Sequence, residues 1–294
     1  MKKIGIIGAG AMGKGIAKNL QKAGYEVVAH KRNIDEANDV IKYLRANNVA
    51  ITSDLQSIFK SVDILLTCLP DSPTVENVLV GKEGLVNCEG RSVKSVIDFS
   101  TAHPDSTKEV AKKLEELQIE MLDTPMTGGP FQADEGTIRL VVGGNKEVFD
   151  KFKPLLEKVA TQIVYAGDTG CGNAVKLMNN FLAILGQAAT AGVSLLMDKM
   201  GISREAVHEY ISASGGNSWG FNAMMKRIME DNFENNFALN LAFKDLRYNK
   251  SLFDEVGGFP ILDSLVETYK KADEAGFGDQ DVGAIYFSIK ETLK

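Results

Sequence analysis

The sequence predicts an α/β domain with a doubly wound, mostly parallel sheet, followed by an all-α domain entered through one long interdomain helix. Three observations predict it. Up to Tyr165, short β-rich runs alternate with segments of helical spacing, the pattern that lays helices on both faces of a parallel sheet. Beyond Asp168 no convincing strand run remains. Between the two, residues 172–200 contain no Pro and are almost wholly apolar, enough for one helix of roughly 40 Å. The boundary falls near Gly167, giving domains 1–167 and 168–294, and no internal repeat is evident.

The first elements carry the first motif. Residues 3–8 read as a strand that runs into Gly8-Ala9-Gly10-Ala11-Met12-Gly13. Residues 14–23 read as an amphipathic helix, Gly24 stops it, and residues 25–30 form the second strand. Strand, G-x-G-x-x-G, helix and strand within about 30 residues is the arrangement of a Rossmann-type dinucleotide-binding unit. Gly8 permits the tight turn, Gly10 lets the backbone approach a pyrophosphate, and Gly13 lets the helix pack on the strand. The helix N-terminus offers N–H groups to the phosphates.

The end of the second strand selects the cofactor. An acidic residue there would bind the adenosine ribose 2′-hydroxyl. This chain has Lys31-Arg32-Asn33, with Asp35 only later. Lys31 and Arg32 suit a 2′-phosphate, the Arg as a planar fork, so NADP(H) is the expected cofactor.

The alternation continues. Residues 62–68 form a strand ending at Leu69-Pro70, and residues 71–80 turn helical. Residues 95–99 form a strand ending at Ser100-Thr101, and Pro104 suits the first position of a helix running to residue 118. Strand 119–122 leads into Asp123-Thr124-Pro125-Met126-Thr127-Gly128-Gly129-Pro130. Strand 137–142, helix 146–159 and strand 162–165 complete the domain. In open α/β sheets ligands sit at the strand C-termini, where Leu69-Pro70, Ser100-Thr101 and Thr127-Gly128-Gly129 fall. Helices are then expected at 203–214, 218–231, 238–256, 261–275 and 281–293, punctuated by Gly215-Gly216, Gly257-Gly258 and Gly276-Phe277-Gly278.

At about 100° per residue, Lys176, Asn180, Gln187 and Ser194 share one side of the long helix. A helix apolar on its remaining faces is normally buried. A Lys one turn before an Asn is then costly unless both have partners, which makes Lys176 the chemical centre of the chain. The competing reading is a Lys that snorkels to water.

Composition bounds the function. Apolar residues at 44% and charged residues at 24% of 294 are those of a soluble globular protein. A net charge of −6 argues against a nucleic-acid partner. Cys68, Cys88 and Cys171 fit neither a disulfide framework nor a C-x-x-C metal site, and His30, His103 and His208 are scattered, so no metal is expected and the compartment is cytoplasmic. The glycines and Lys14 break the apolar run that would make the N-terminus a signal peptide. Lys176, two Asn and Gln187 argue against a membrane span.

With these motifs in hand, the chain resembles the β-hydroxyacid dehydrogenase family. Its members include 3-hydroxyisobutyrate dehydrogenase, tartronate semialdehyde reductase, the glyoxylate/succinic semialdehyde reductases and, more distantly, 6-phosphogluconate dehydrogenase. The resemblance rests on Gly8–Gly13 with Ala17, Asn19 and Leu20 after it, on Asp123-Thr124-Pro125-Met126-Thr127-Gly128-Gly129 with Gly136-Thr137, on Gly170-x-Gly172-x-x-x-Lys176-x-x-Asn179-Asn180, and on Phe243-Lys244-Asp245-Leu246. It implies Lys176 as the catalytic residue. It implies Thr127, Gly128 and Gly129 around a substrate carboxylate, with Asn180 on the substrate. It brings Leu69, Pro70, Thr101 and Lys244 to the nicotinamide side. It also implies a homo-oligomer, dimer or tetramer. Ser214, Trp219 and Phe237 are further pocket candidates, with Trp219 read rather as core.

The chain departs from the family pattern at Thr127 for Ser, Gln132 for Gly, Asp134 for Glu and Arg139 for Thr. These leave substrate identity open within short 3-hydroxy acids and their semialdehydes; the alternatives are a semialdehyde reductase of the tartronate, glyoxylate or succinic type, or a non-catalytic NADPH-binding protein. His103 invites a 2-hydroxy acid dehydrogenase reading and Tyr286 to Lys290 a Tyr-x-x-x-Lys reading. The first is read as a residue leading into a helix, the second as a chance match on the last helix.

Overall fold

A computed structural model describes residues 3–292. It separates into two compact units, one ending at Lys176 and the next beginning at Leu177. That division lies inside the long helix.

The first unit opens with β1 (Lys3–Ile7), α1 (Gly13–Lys22), β2 (Glu26–His30), α2 (Asp39–Ala46), β3 (Ala50–Thr52) and α3 (Leu55–Ser61). It continues with β4 (Ile64–Thr67), α4 (Ser72–Val80), β5 (Ser95–Asp98), α5 (Pro104–Glu115), β6 (Glu120–Asp123) and β7 (Met126–Thr127). It closes with α6 (Pro130–Glu135), β8 (Ile138–Gly144), α7 (Lys146–Leu156), β9 (Ala160–Gly167) and the start of α8 (Cys171–Met200). Polar N-caps start the helices: Asn38, Asp54, Asp71, His103 and Asn145 each accept backbone N–H bonds from the first turn. His103 is thus a helix cap, as read from the sequence.

The sheet order is β3-β2-β1-β4-β5-β6-β8-β7, with β9 on β8. The first six strands of that order are parallel, while β8 runs antiparallel to β6 and β7. The centre strands β4 and β5 are buried at every position, as helices on both faces require. Ile6, Ile16, Leu20 and Ile97 belong to the core on one face, and Ile58, Leu65, Val96 and Leu114 to the core on the other.

The segment 34–61, unassigned in the sequence, holds α2, β3 and α3. These are short, at 8, 3 and 7 residues, and mostly half-buried or exposed. The antiparallel return of β8 follows α6, a helix of 6 residues.

The second unit contains the remainder of α8, then α9 (Arg204–Ser212), α10 (Trp219–Glu230), α11 (Leu239–Asp254), α12 (Pro260–Ala272) and α13 (Ile285–Thr292). Phe181, Ile184, Met224, Leu246, Leu265 and Tyr269 belong to its core. Beyond the first unit, strand pairing among the described residues is limited to an isolated bridge, Ala238 with Asp281. Asp281 is fully buried and pairs with Arg227 at 2.8 Å. It also accepts N–H bonds from Asn236 and Gly283, which satisfies a charge otherwise costly to bury. The last helix was expected from residue 281; Asp281 instead caps a short 3₁₀ turn ahead of α13.

Two expectations are corrected. Trp219, read as core, is 67% exposed. It sits at the first position of α10, whose buried face is Phe221, Met224, Met225 and Ile228. The long helix is not buried all round either. Its polar side is the buried one: Lys176, Asn180, Gln187 and Ser194 are all 8% exposed or less, while Met178, Leu182, Leu196 and Met200 are 55–66% exposed.

Candidate active site

The glycine loop sits where the strand order reverses, between β1 and its neighbours β2 and β4. Gly8 adopts φ +94°, and a Cβ there would lie 2.1 Å from the Cys68 carbonyl oxygen at the end of β4. A Cβ at Gly13 would lie 2.3 Å from the Gly8 oxygen. The chain's own backbone thus requires both glycines. At Gly10 a Cβ would meet nothing within 4 Å. Packing within the chain does not explain a glycine there; a ligand pressed against the backbone does. Met12 precedes α1 without a side-chain cap, and the first turn has no acidic residue, so the N-terminus of α1 is left for an anion. These features fit a dinucleotide.

Lys31, Arg32 and Asn33 follow β2, with Arg32 and Asn33 exposed. Asp35 is turned to its own backbone, accepting from the Ala37 N–H at 2.9 Å. Burial lowers the His30 imidazole pKa, so that ring adds no charge near neutrality. The neighbouring strand ends join this rim. The Leu69 N–H donates to the Ser100 hydroxyl at 2.9 Å, which ties Leu69-Pro70 after β4 to Ser100-Thr101 after β5.

Lys176 does not snorkel. It is 8% exposed, and its Nζ donates to Thr127 Oγ1 at 3.2 Å. The structure thus joins two residues 49 positions apart, the proposed catalytic Lys and the hydroxyl of the acid loop. Gly128 follows at φ +132°, a conformation suited to glycine. Gly129 caps α6, but its N–H is already engaged. Gln132 reaches back and accepts it at 2.9 Å, one half of a capping box. The expected row of backbone donors for a carboxylate is therefore one amide short.

Two residues without an assigned role hold this arrangement. Asp123, at the end of β6, accepts the Gly170 N–H through Oδ1 and the Asn173 N–H through Oδ2, both at 2.8 Å. Burial pushes its carboxyl pKa up, against the pull of those two amides. Asn173 accepts the Ala102 N–H at 3.0 Å and donates to Thr107 Oγ1 at 3.0 Å. The start of α8 is thereby latched to the ends of β5 and β6. The contact is close: a Cβ on Gly143 would lie 2.7 Å from the Gly172 nitrogen, and one on Gly172 would lie 2.8 Å from the Gly143 nitrogen. An Asp ending a buried strand was the available signal for this latch.

In the helical unit, Asn180 Nδ2 donates to Asp245 Oδ2 at 2.6 Å, and Lys244 Nζ lies 3.1 Å from Asp245 Oδ1. Asn180 and Lys244 therefore meet on one carboxylate. Tyr286 is buried in the core of this unit and stacks on Phe233, which supports a packing role. Among the described residues there is no cluster of metal-ligating side chains.

Comparison with known proteins decides the family. Residues 3–167 match the NAD-binding domain of 6-phosphogluconate dehydrogenase, and residues 170–289 match the NAD-binding domain of NADP-dependent 3-hydroxyisobutyrate dehydrogenase. The chain belongs to the β-hydroxyacid dehydrogenase family. It is 34% identical to 2-(hydroxymethyl)glutarate dehydrogenase of Eubacterium barkeri over 287 residues, 96% of this chain and 93% of that one. It is 31% identical to 2-hydroxy-3-oxopropionate reductase of Escherichia coli, over 83% of this chain and 82% of that one. The solved 3-hydroxyisobutyrate dehydrogenase of Mycobacterium tuberculosis is 26% identical with a TM-score of 0.85, covering 99% of both chains. The protein is accordingly an NAD(P)-dependent oxidoreductase of hydroxy acids and their semialdehydes.

Proposed function

We propose that this family member interconverts a short 3-hydroxy acid and its semialdehyde with NADP(H), and that Lys176 moves the proton. The contact between buried Lys176 and Thr127 carries the reading. It supports Lys176 as the proton-exchanging group beside the proposed acid loop.

The nicotinamide, when bound, supplies the hydride chemistry. The chain's residues do the rest. Thr127 Oγ1 and the backbone at Gly128 hold the substrate carboxylate, and Lys176 Nζ gives a proton to the aldehyde oxygen or takes it from the alcohol. General acid–base groups contribute about 10²–10⁴-fold. Lys176→Ala should lose turnover on that scale and still bind NADPH. A variant within a few-fold of normal turnover would end the proposal.

The preference for NADP(H) rests on Lys31 and Arg32, with Asp35 spent on its own turn. Arg32→Ala should raise the KM for NADPH by roughly 10-fold, the value of a charge-assisted contact, and leave NADH little changed. Equal use of both cofactors by the unmodified enzyme would refute the preference.

We further propose a cytoplasmic homo-oligomer. Met178, Leu182, Val193, Leu196 and Met200 are 44–66% exposed and fall within an arc of roughly 60° on α8. That helix is long and apolar enough to cross a membrane by length and composition alone. Other positions of the helix, Phe181, Ile184 and Ala191, belong to the helical core, which supports a surface for a second copy. Leu182→Lys should lower the mass measured by light scattering.

A further inference from the structure

Arg139 has no part in the function so far. It stands on β8 with Thr127 of β7 as its direct antiparallel partner. Such partners project from the same face, with Cβ atoms about 4.5–5.5 Å apart. The neighbouring pair, Met126 and Leu140, faces the opposite way, and Leu140 is 2% exposed in the sheet core. Thr127 and Arg139 therefore face away from that core. The same face carries Gly143 by strand alternation, with the start of α8 against it, and Lys176 meeting Thr127. The bulges in the β8–β9 pairing skip Thr161 and Ala166; they belong to β9, so β8 keeps its alternation.

Arg139 is thus the cross-strand partner of the residue whose hydroxyl Lys176 meets. Arg139 is exposed and, among the described residues, makes no ion pair. Asp123, the carboxylate held against this face, is occupied by Gly170 and Asn173. Meanwhile Gln132 has removed the Gly129 amide from the donors open to an acid. The site has lost a neutral donor and carries a guanidinium, whose fork matches a carboxylate.

We infer that Arg139 binds a second anionic group, and that the substrate is a hydroxy dicarboxylate with its semialdehyde. This deepens the preceding reading and rests on it. One carboxylate lies at Thr127 and Gly128, the other at Arg139, and the reacting carbon lies by Lys176. A short carbon spacer separates the two acids, because Thr127 and Arg139 are direct cross-strand neighbours.

A matched pair of acids tests this. 3-Hydroxyisobutyrate and 2-(hydroxymethyl)succinate differ only by a carboxylate added to the methyl group. With NADP+, the unmodified enzyme should favour the dicarboxylate in kcat/KM by roughly 10- to 100-fold, the range for charge-assisted bonds. Arg139→Thr should bring the ratio to about 1, and Arg139→Lys should retain part of it. A ratio near 1 in the unmodified enzyme, or one that survives Arg139→Thr, overturns the inference.

Calorimetry with unreactive acids separates the two readings. Glutarate should bind the NADP+-loaded enzyme more tightly than butyrate, and Arg139→Thr should abolish the difference. If neither hydroxy acid turns over while glutarate binding still depends on Arg139, the proposed reaction fails and the dianion site stands. If 3-hydroxyisobutyrate turns over and glutarate gains nothing from Arg139, the reaction stands and the dianion site fails.

Discussion

The two glycine loops of the sheet unit look alike in sequence and differ in what they leave open. In the first, Gly8 and Gly13 are demanded by the chain's own backbone, Gly10 faces open space, and no side chain caps the helix that follows. In the second, Gly129 also leads into a helix, but Gln132 already takes its N–H. One loop leaves its middle glycine and the helix start uncovered by the chain's own side chains. The other has filled part of its place with its own side chain, and Lys176 meets its hydroxyl. Glycine in a motif therefore reports a close approach, and only the neighbours say whether the approaching group is the protein or a ligand.

Substitutions can break this contrast, starting from the first loop. Gly8→Ala puts a methyl on the Cys68 carbonyl at positive φ, and should cost on the order of 3 kcal/mol or more in chemical denaturation. A stable Gly8→Ala protein would mean that β1 and β4 part more easily than their register suggests. Gly10→Ala is the control. It should melt within a few degrees of the parent, yet lose most of the stabilisation NADPH confers, which for the parent is about 2.7 kcal/mol at a hundredfold excess over Kd. Equal melting shifts with NADPH in parent and variant would remove Gly10 from the cofactor site.

The second loop gives smaller effects. Thr127→Val keeps the volume and removes the hydroxyl that Lys176 meets. The KM for the acid should rise by about 10-fold, the worth of a hydrogen bond to a charged group, with NADPH affinity unchanged. Gln132→Gly is the mildest. It frees the Gly129 amide at the expense of a cap worth about 1 kcal/mol. Simple monocarboxylates should then bind a few-fold more tightly in calorimetry; weaker binding would show that Gln132 itself holds substrate.

Local chemistry made the first loop legible in the sequence, because a turn, a pyrophosphate and a helix start are all set within about 30 residues. The central strands were equally plain, since burial on both faces leaves unbroken apolar runs such as residues 64–66. What failed to show depended on distant partners. The periodicity of α8 placed Lys176, Asn180, Gln187 and Ser194 on one side, but the excess of apolar residues suggested burial all round. The structure buries the polar side and exposes part of the apolar one. Trp219 reads as core by its aromatic bulk, yet it stands in the first turn of α10, outside that helix's buried positions. The reach of Gln132 back to Gly129 follows a known three-residue spacing, but a glycine cap offers no side chain to complete the usual signature.

Gly143 and Gly172 have a consequence for how such a chain drifts. Each is held by the other's backbone and by Asp123, so a side chain on either enters space the other already occupies. A second change at the partner cannot compensate, because glycine has nothing left to give up. The only escape is for strand and helix to separate, which would loosen the latch that sets where Lys176 stands. Variation should therefore accumulate around this junction while both positions stay fixed. A library randomised at 143 and 172 together should return the parental pair almost alone under selection for activity.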